Sequence, residues 1–148
     1  MDWFFIIRIG LLVFWALWLT LVFLTNLFDG LKAAGVLPGS WRFASGNYQA
    51  MGKGTGKYGT PGWLLGLLFA GVIVWELLAA ALLWRAALTF GGAGGSGMMY
   101  MAFTVSLALW AAFILADEVF SAYEMSQTHW VIFIAQLVSL LAIGLLPA

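Results

Sequence analysis

The sequence predicts an all-α integral membrane protein, a bundle of four transmembrane helices. Hydrophobic residues make up 64% of the chain and charged residues 8%, and the mean hydropathy is +1.03. These values lie outside the range of soluble domains. The chain also contains four apolar runs of about 20 residues, the length that crosses a ~30 Å hydrocarbon layer at a ~1.5 Å rise per residue.

We place the spans at about residues 3–28, 63–85, 98–118 and 129–147, within one transmembrane domain over residues 1–148. The long loop over residues 30–62 is rich in glycine and polar residues. It contains Lys32, Arg42, Lys53 and Lys57. A loop of this length with its own aromatic residues either caps the bundle or binds a partner, and we favour the cap. The glycine-rich connector over residues 91–97 makes the second and third spans neighbours.

Charge and cysteine content exclude several classes of function. Lys and Arg number six, as do Asp and Glu, so the net charge is zero and no basic surface indicates nucleic acid binding. The chain has no cysteine, which excludes disulfides, thiolate metal sites and thiol nucleophiles. No nucleophile with a matching base, cofactor-binding loop or redox ligand set stands out, so an enzyme is the class with least support. We predict no cofactor.

Glu76 is the one acidic residue within the second span. An ionised carboxylate at that depth is costly, so Glu76 should face protein, water, a cation or a proton rather than lipid. Asn26 and Asp29 end the first span and share a helix face because they are three residues apart. They form either a polar cap of the helix or, with Glu76, a candidate site for a ligand or a proton.

Four spans place the long loop and residues 117–129 on the same side of the membrane. If the third helix continues past the bilayer, Asp117, Ser121 and Glu124 share one of its faces. Carboxylate oxygens with one imidazole could bind a divalent cation, although a lone histidine without Glu-x-x-His pairs is a weak metal signal. The candidate metal ligands are Asp117, Glu118, Glu124 and His129.

A structural interpretation competes with these sites. The four loop cations would form ion pairs with Asp29, Asp117, Glu118 and Glu124, and Glu76 would receive hydrogen bonds from Thr, Ser or Trp, or pair with a loop cation. Two further expectations concern helix packing. Gln136 and Ser139 should form hydrogen bonds between helices, and the stripe of Gly62, Gly66 and Ala70 should allow close approach of a neighbouring helix.

The chain contains four short motifs. They are Asn26-x-x-Asp29 at the end of the first span, Trp41-Arg42 in the loop, Trp75-Glu76 within the second span and Asp117-Glu118-x-Phe120 at the end of the third. In these the chain resembles a bacterial family of predicted small integral membrane proteins of unknown function, which have four spans, an Asn-x-x-Asp after the first and an acid in the second. The resemblance implies a four-span protein of the bacterial inner membrane. It implies no activity. This chain differs in its longer, glycine-rich first loop and in lacking a basic C-terminal tail.

We predict a structural or accessory membrane subunit that works in a homo-oligomer or a larger complex, with lipid, itself or other membrane subunits as its partners. The alternative is an intramembrane carboxylate and histidine site, centred on Glu76, that binds a divalent cation or small ligand or handles protons.

Overall fold

The structure is a computed structural model that describes residues 2–92 and 94–146. Within these ranges all regular structure is helical. The helices are α1 (Trp3–Ala33), α2 (Asn47–Gly56), α3 (Gly62–Thr89), α4 (Gly95–Phe120) and α5 (Tyr123–Leu145). All but α2 are long and apolar enough, by length and composition, to cross a membrane. The predicted all-α class with four span candidates is confirmed.

The four long helices form a ring in which each contacts two neighbours. Helix α3 packs between α1 and α4, and α5 packs between α4 and α1. Each helix buries residues spaced three and four apart, the period of one helix face. Alanines at the centre let the backbones approach closely. The central core comprises Leu12, Ala16, Leu19, Ala79, Leu83, Ala86, Ala102 and Phe103, all fully buried.

Hydrogen bonds between side chains join the helices inside this core. The Ser106 hydroxyl donates to Gln136 Oε1 over 2.8 Å, and Trp15 Nε1 donates to the Ser139 hydroxyl over 2.9 Å. The predicted helix-to-helix roles of Gln136 and Ser139 are confirmed. Without water, such groups must find partners on neighbouring helices.

The predicted small-residue packing stripe on α3 is wrong. Gly62 and Ala70 are exposed, and a Cβ atom built on Gly62 or Gly66 would meet nothing within 4 Å. The face of α3 that packs closely contains Ala79 and Ala86 instead. A four-residue repeat of small residues identifies a smooth helix face, but not whether another helix lies against it.

The helices extend further than the predicted spans, and the turn after α4 differs from the expectation. Helix α4 ends at Phe120, Ser121 adopts a left-handed conformation at φ 48°, and α5 starts at Tyr123, well before residue 129. Asp117 and Glu124 are therefore on different helices, and the predicted shared face of one continuing helix is wrong. Residue 93 of the glycine connector and the predicted span end at residue 147 lie outside the described residues.

Most of the long loop packs on one end of the bundle. Helix α2 lies within it and contacts α1 and α3. Thr55 is its buried residue, and the Tyr58 hydroxyl donates to the carbonyl oxygen of Val119 near the end of α4 over 2.7 Å. The loop therefore covers the end of the bundle where α4 meets α5.

The turn before α4 allows a matched test of packing. A Cβ atom on Gly95 would lie 2.6 Å from the Thr89 carbonyl oxygen, whereas one on Gly97, two residues later on the same helix, would meet nothing within 4 Å. We expect Gly95→Ala to destabilise the protein by about 1–3 kcal/mol because the backbone must shift.

Gly97→Ala is the control. This substitution should leave the free energy of unfolding unchanged or raise it by about 0.5–1 kcal/mol, since alanine is more favourable than glycine within a helix. Unfolding of both variants by denaturant in detergent micelles would measure the difference. Equal stability of the two variants would contradict the close approach of α4 to the end of α3.

Candidate functional site

A cavity of about 180 Å³ lies under α2, bounded by residues from all five helices. Its walls are mostly apolar, as in many ligand pockets. The polar residues that line it come from different helices and meet at this end of the bundle. They are Asn26, Asn47, Thr55, Glu76, Asp117 and His129, together with the indole of Trp110.

Glu76 lies at the middle of α3 and is only 1% exposed. Asn26 Nδ2 donates a hydrogen bond to Glu76 Oε1 over 2.6 Å. The other carboxylate oxygen, Oε2, is buried and has no hydrogen-bond partner among residues 2–92 and 94–146. The sequence prediction that Glu76 faces away from lipid agrees with this burial. Its partner is an asparagine, however, and not the expected Thr, Ser, Trp or loop cation.

Asn26 connects Glu76 to the cap. Its Oδ1 accepts a hydrogen bond from Asn47 Nδ2 over 2.9 Å, and Asn47 is the first residue of α2. The side chains of three helices, α3, α1 and α2, are thereby joined in one chain of hydrogen bonds. Because Asn26 is 2% exposed, this chain runs through the interior of the protein.

Asp29 holds the start of α2 in place. It is 6% exposed, and its Oδ2 accepts hydrogen bonds from the Tyr48 backbone N–H over 2.8 Å and from the Ser45 hydroxyl over 3.3 Å. Asn26 and Asp29 are both buried on α1, as their spacing predicted, yet only Asn26 lines the cavity. Asp29 is therefore an anchor of the loop, and the structure does not bring it to Glu76.

Asp117, which is buried, and His129, which is partly buried, form a pair at the other side of the cavity. Asp117 Oδ2 lies 2.7 Å from His129 Nδ1, and the imidazole ring stacks on Phe113 with centroids 4.9 Å apart. A carboxylate beside Nδ1 favours the proton on that nitrogen, which leaves Nε2 as an acceptor in neutral histidine. Two of the four candidate metal ligands are therefore neighbours.

The other two candidate metal ligands, Glu118 and Glu124, are exposed. Within the described parts of the chain, no group of three or more His, Asp or Glu side chains is arranged to hold a metal ion. The structure therefore does not assemble the set of Asp117, Glu118, Glu124 and His129. The turn at Ser121 and Ala122 explains why, since it separates the acids onto two helices.

The expected network of loop cations and acids is also absent from residues 2–92 and 94–146. The one ion pair found there that involves a carboxylate of this end of the bundle is that of Asp117 with His129. Lys32 Nζ instead donates to the Trp41 carbonyl oxygen over 2.9 Å. Asp29 accepts from a backbone amide and a hydroxyl, Asp117 pairs with an imidazole, and Glu118 and Glu124 are exposed. The structural interpretation is therefore wrong about the partners of the two buried acids.

Two residues that line the cavity were not predicted from the sequence, Trp110 and Asn47. Trp110 is 3% exposed, and its Nε1 has no hydrogen-bond partner in the described ranges although it lines the cavity. Asn47 lies in a glycine-rich stretch without helical periodicity. Nothing in the sequence distinguishes Trp110 among the nine tryptophans, and no local signal indicates that Asn47 reaches Asn26.

The interior beyond Glu76 is closely packed. Leu19, Leu83 and Phe103 are fully buried there, one or two turns further from α2 than the cavity residues of their helices. The polar residues of the cavity thus lie on the α2 side of a packed layer, in which Trp15 and Ser139 are joined by their own hydrogen bond.

Comparison with known proteins adds no assignment. No family model, no curated protein and no solved structure matches this chain. The resemblance to the bacterial membrane family stays a prediction.

The anchoring role of Asp29 predicts a local effect of its removal. Asp29→Ala removes the charged acceptor of two partly buried hydrogen bonds, which costs about 1–3 kcal/mol. We expect the amide hydrogens of residues 45–58 to exchange faster, while those of the four long helices stay protected. Hydrogen exchange detected by mass spectrometry would measure both.

Asp2→Ala is the matched control. The Asp2 carboxylate caps α1 at the opposite end of the bundle by accepting from the backbone N–H groups of Phe4 and Phe5. Its loss should cost about 1 kcal/mol without changing exchange over residues 45–58. Equal exchange rates over residues 45–58 in Asp29→Ala and Asp2→Ala would show that Asp29 does not hold α2 in place.

Proposed function

We propose that this protein binds a small molecule inside the membrane, in the cavity under α2, with Glu76 as the anchor. The observation that carries the proposal is Glu76 Oε2, which is buried without a partner in the described structure and belongs to a residue that lines the cavity. Buried polar atoms in folded proteins are almost always hydrogen-bonded. An exception beside an open space is a natural position for a bound donor.

The dimensions and chemistry of the cavity support ligand binding. Its volume of about 180 Å³ is many times the ~10–15 Å³ that a cavity needs to hold one water molecule. Apolar side chains such as Val22, Val72 and Met51 line it alongside the few polar groups. That combination, an apolar wall with a small number of fixed polar atoms, is typical of sites for small organic molecules.

A binding site is better supported than a route for ions or protons. A route across the membrane needs polar groups at successive depths. Here the carboxylates and the imidazole of the cavity lie at the level of Glu76 or on its α2 side. Beyond Glu76, Trp15 and Ser139 satisfy each other with a hydrogen bond, and Leu19, Leu83 and Phe103 fill the interior. The titratable groups of the cavity therefore lie on one side of a packed layer, as expected for a binding site.

Helix α2 supports the proposal because it connects the site to the outside. Asn47 joins it to Asn26, which in turn donates to Glu76. A molecule that binds Glu76 acts on the same hydrogen-bond chain that fixes the cap. The proposed setting is the bacterial inner membrane, for which the support is the resemblance in Asn26-x-x-Asp29 and Trp75-Glu76.

The first test is native mass spectrometry of the protein released gently from its own membrane. We expect wild-type protein to carry one small molecule. Glu76→Gln keeps the acceptor for Asn26 but removes the carboxylate, and loss of a charge-assisted hydrogen bond worth about 1.5–3 kcal/mol should reduce occupancy by about tenfold or more. Glu118→Gln, the same change at an exposed acid, should leave occupancy unchanged.

A second pair of variants tests the cavity itself. Val22→Phe places a ring in the cavity and should abolish binding in a folded protein, whereas Leu21→Phe adds the same ring at a residue that is 54% exposed and should have no effect. Wild-type protein that carries no small molecule would overturn the proposal. A second protein present in fixed ratio instead would support the accessory-subunit function.

A further inference from the structure

We propose that the ligand of this cavity is an organic ammonium cation with a neighbouring hydroxyl or carbonyl oxygen. This inference rests on the proposed function and names the chemical class that the same site would accept. Three independent features of the cavity carry it: the sign of its charge, its aromatic walls and its two unpartnered polar atoms.

The charged groups of the cavity favour a cation. Two carboxylates line it, those of Glu76 and Asp117, and neither Lys nor Arg occurs among its described lining residues. Asp117 already has His129 at 2.7 Å, so Glu76 is the acid with an oxygen to spare. A carboxylate away from water is costly unless a positive group or a donor accompanies it. An ammonium group supplies both charge and, when it carries hydrogens, donors.

The walls of the cavity favour an organic cation over a metal ion. The rings of Phe69, Trp110, Phe113 and Phe120 line it. Aromatic faces attract ammonium groups by cation–π interaction, and sets of aromatic rings recognise alkylammonium ligands. A hard metal ion instead needs several oxygen ligands, and the described residues contain no group of three acids or histidines that could supply them.

Trp110 indicates a second group on the ligand. Its ring is 3% exposed, and Nε1 is a buried donor without a partner in the described ranges, on the wall of the same cavity. Indole N–H groups only donate, so the matching group is an oxygen acceptor. The ligand therefore combines a cationic end for Glu76 with a hydroxyl or carbonyl oxygen for Trp110.

The same ammonium could belong to a free molecule or to a zwitterionic lipid headgroup. A lipid would also bring its phosphate close to Glu76 and Asp117, and the described lining offers no Lys or Arg to balance it. The charges therefore favour a free ammonium compound. Comparing choline with a lysophospholipid that carries the same headgroup separates these two sources.

Calorimetric titration of the full protein in uncharged detergent tests the charge requirement. The probes are choline and 3,3-dimethyl-1-butanol, which has the same shape with carbon in place of the charged nitrogen. We expect choline to bind wild-type protein at least about tenfold more tightly, a difference of about 1.4 kcal/mol. Glu76→Gln should remove this preference, and Glu118→Gln should keep it.

A second variant tests the oxygen acceptor without disturbing the charge. Trp110→Phe keeps an aromatic ring but removes the Nε1 donor. It should weaken choline binding severalfold while leaving binding of tetramethylammonium, which has no oxygen, unchanged. An equal loss for both probes would overturn the assignment of the hydroxyl to Trp110.

The outcomes separate the ligand class from the existence of the pocket. If the neutral alcohol binds as tightly as choline and Val22→Phe abolishes both, the pocket exists and the ammonium proposal is wrong. If neither probe binds, the ammonium proposal is also wrong. Whether a small molecule co-purifies with the protein then tests the existence of the pocket independently. Stronger binding of the lysophospholipid than of choline would overturn the preference for a free cation.

Discussion

The hydrogen bond from Asn26 to Glu76 joins α1 to α3 in the middle of the bundle, and much of the surrounding structure follows from the need to accommodate this buried carboxylate. One oxygen is satisfied by the amide, which itself accepts from Asn47 on the cap. The other oxygen, Oε2, is buried without a hydrogen-bond partner among the described residues, and Glu76 lines the cavity. A carboxylate held in this way must be completed by a proton or by a bound group.

The two halves of the bundle differ in how closely their helices pack. On the side away from α2, alanines such as Ala79 and Ala102 allow the helices to approach closely, and the core is dense. On the α2 side, large rings including Phe69 and Phe113 line the cavity, and residues of α2 complete its lining.

The buried acids Asp29 and Asp117 have partners other than the lysine or arginine that was expected. Asp29 accepts from a backbone N–H and a hydroxyl, and Asp117 pairs with His129. Bringing a lysine into such a site would add the desolvation cost of a second charge. Lys53 on α2 and Lys57 just after it are exposed. The interior therefore keeps its excess of acceptors, which is the property a bound cation would use.

The sequence by itself determined the four spans, the depth of Glu76, the common side of the long loop and residues 117–129, and the helix-to-helix roles of Gln136 and Ser139. Hydropathy and helical period are local properties, so they can be read along the chain. Only the tertiary structure decided that α2 is a helix, that the Gly62 stripe faces outward, and that Asn47, Trp110 and Glu76 meet at one cavity. These features depend on contacts between residues far apart in sequence, which no local pattern specifies.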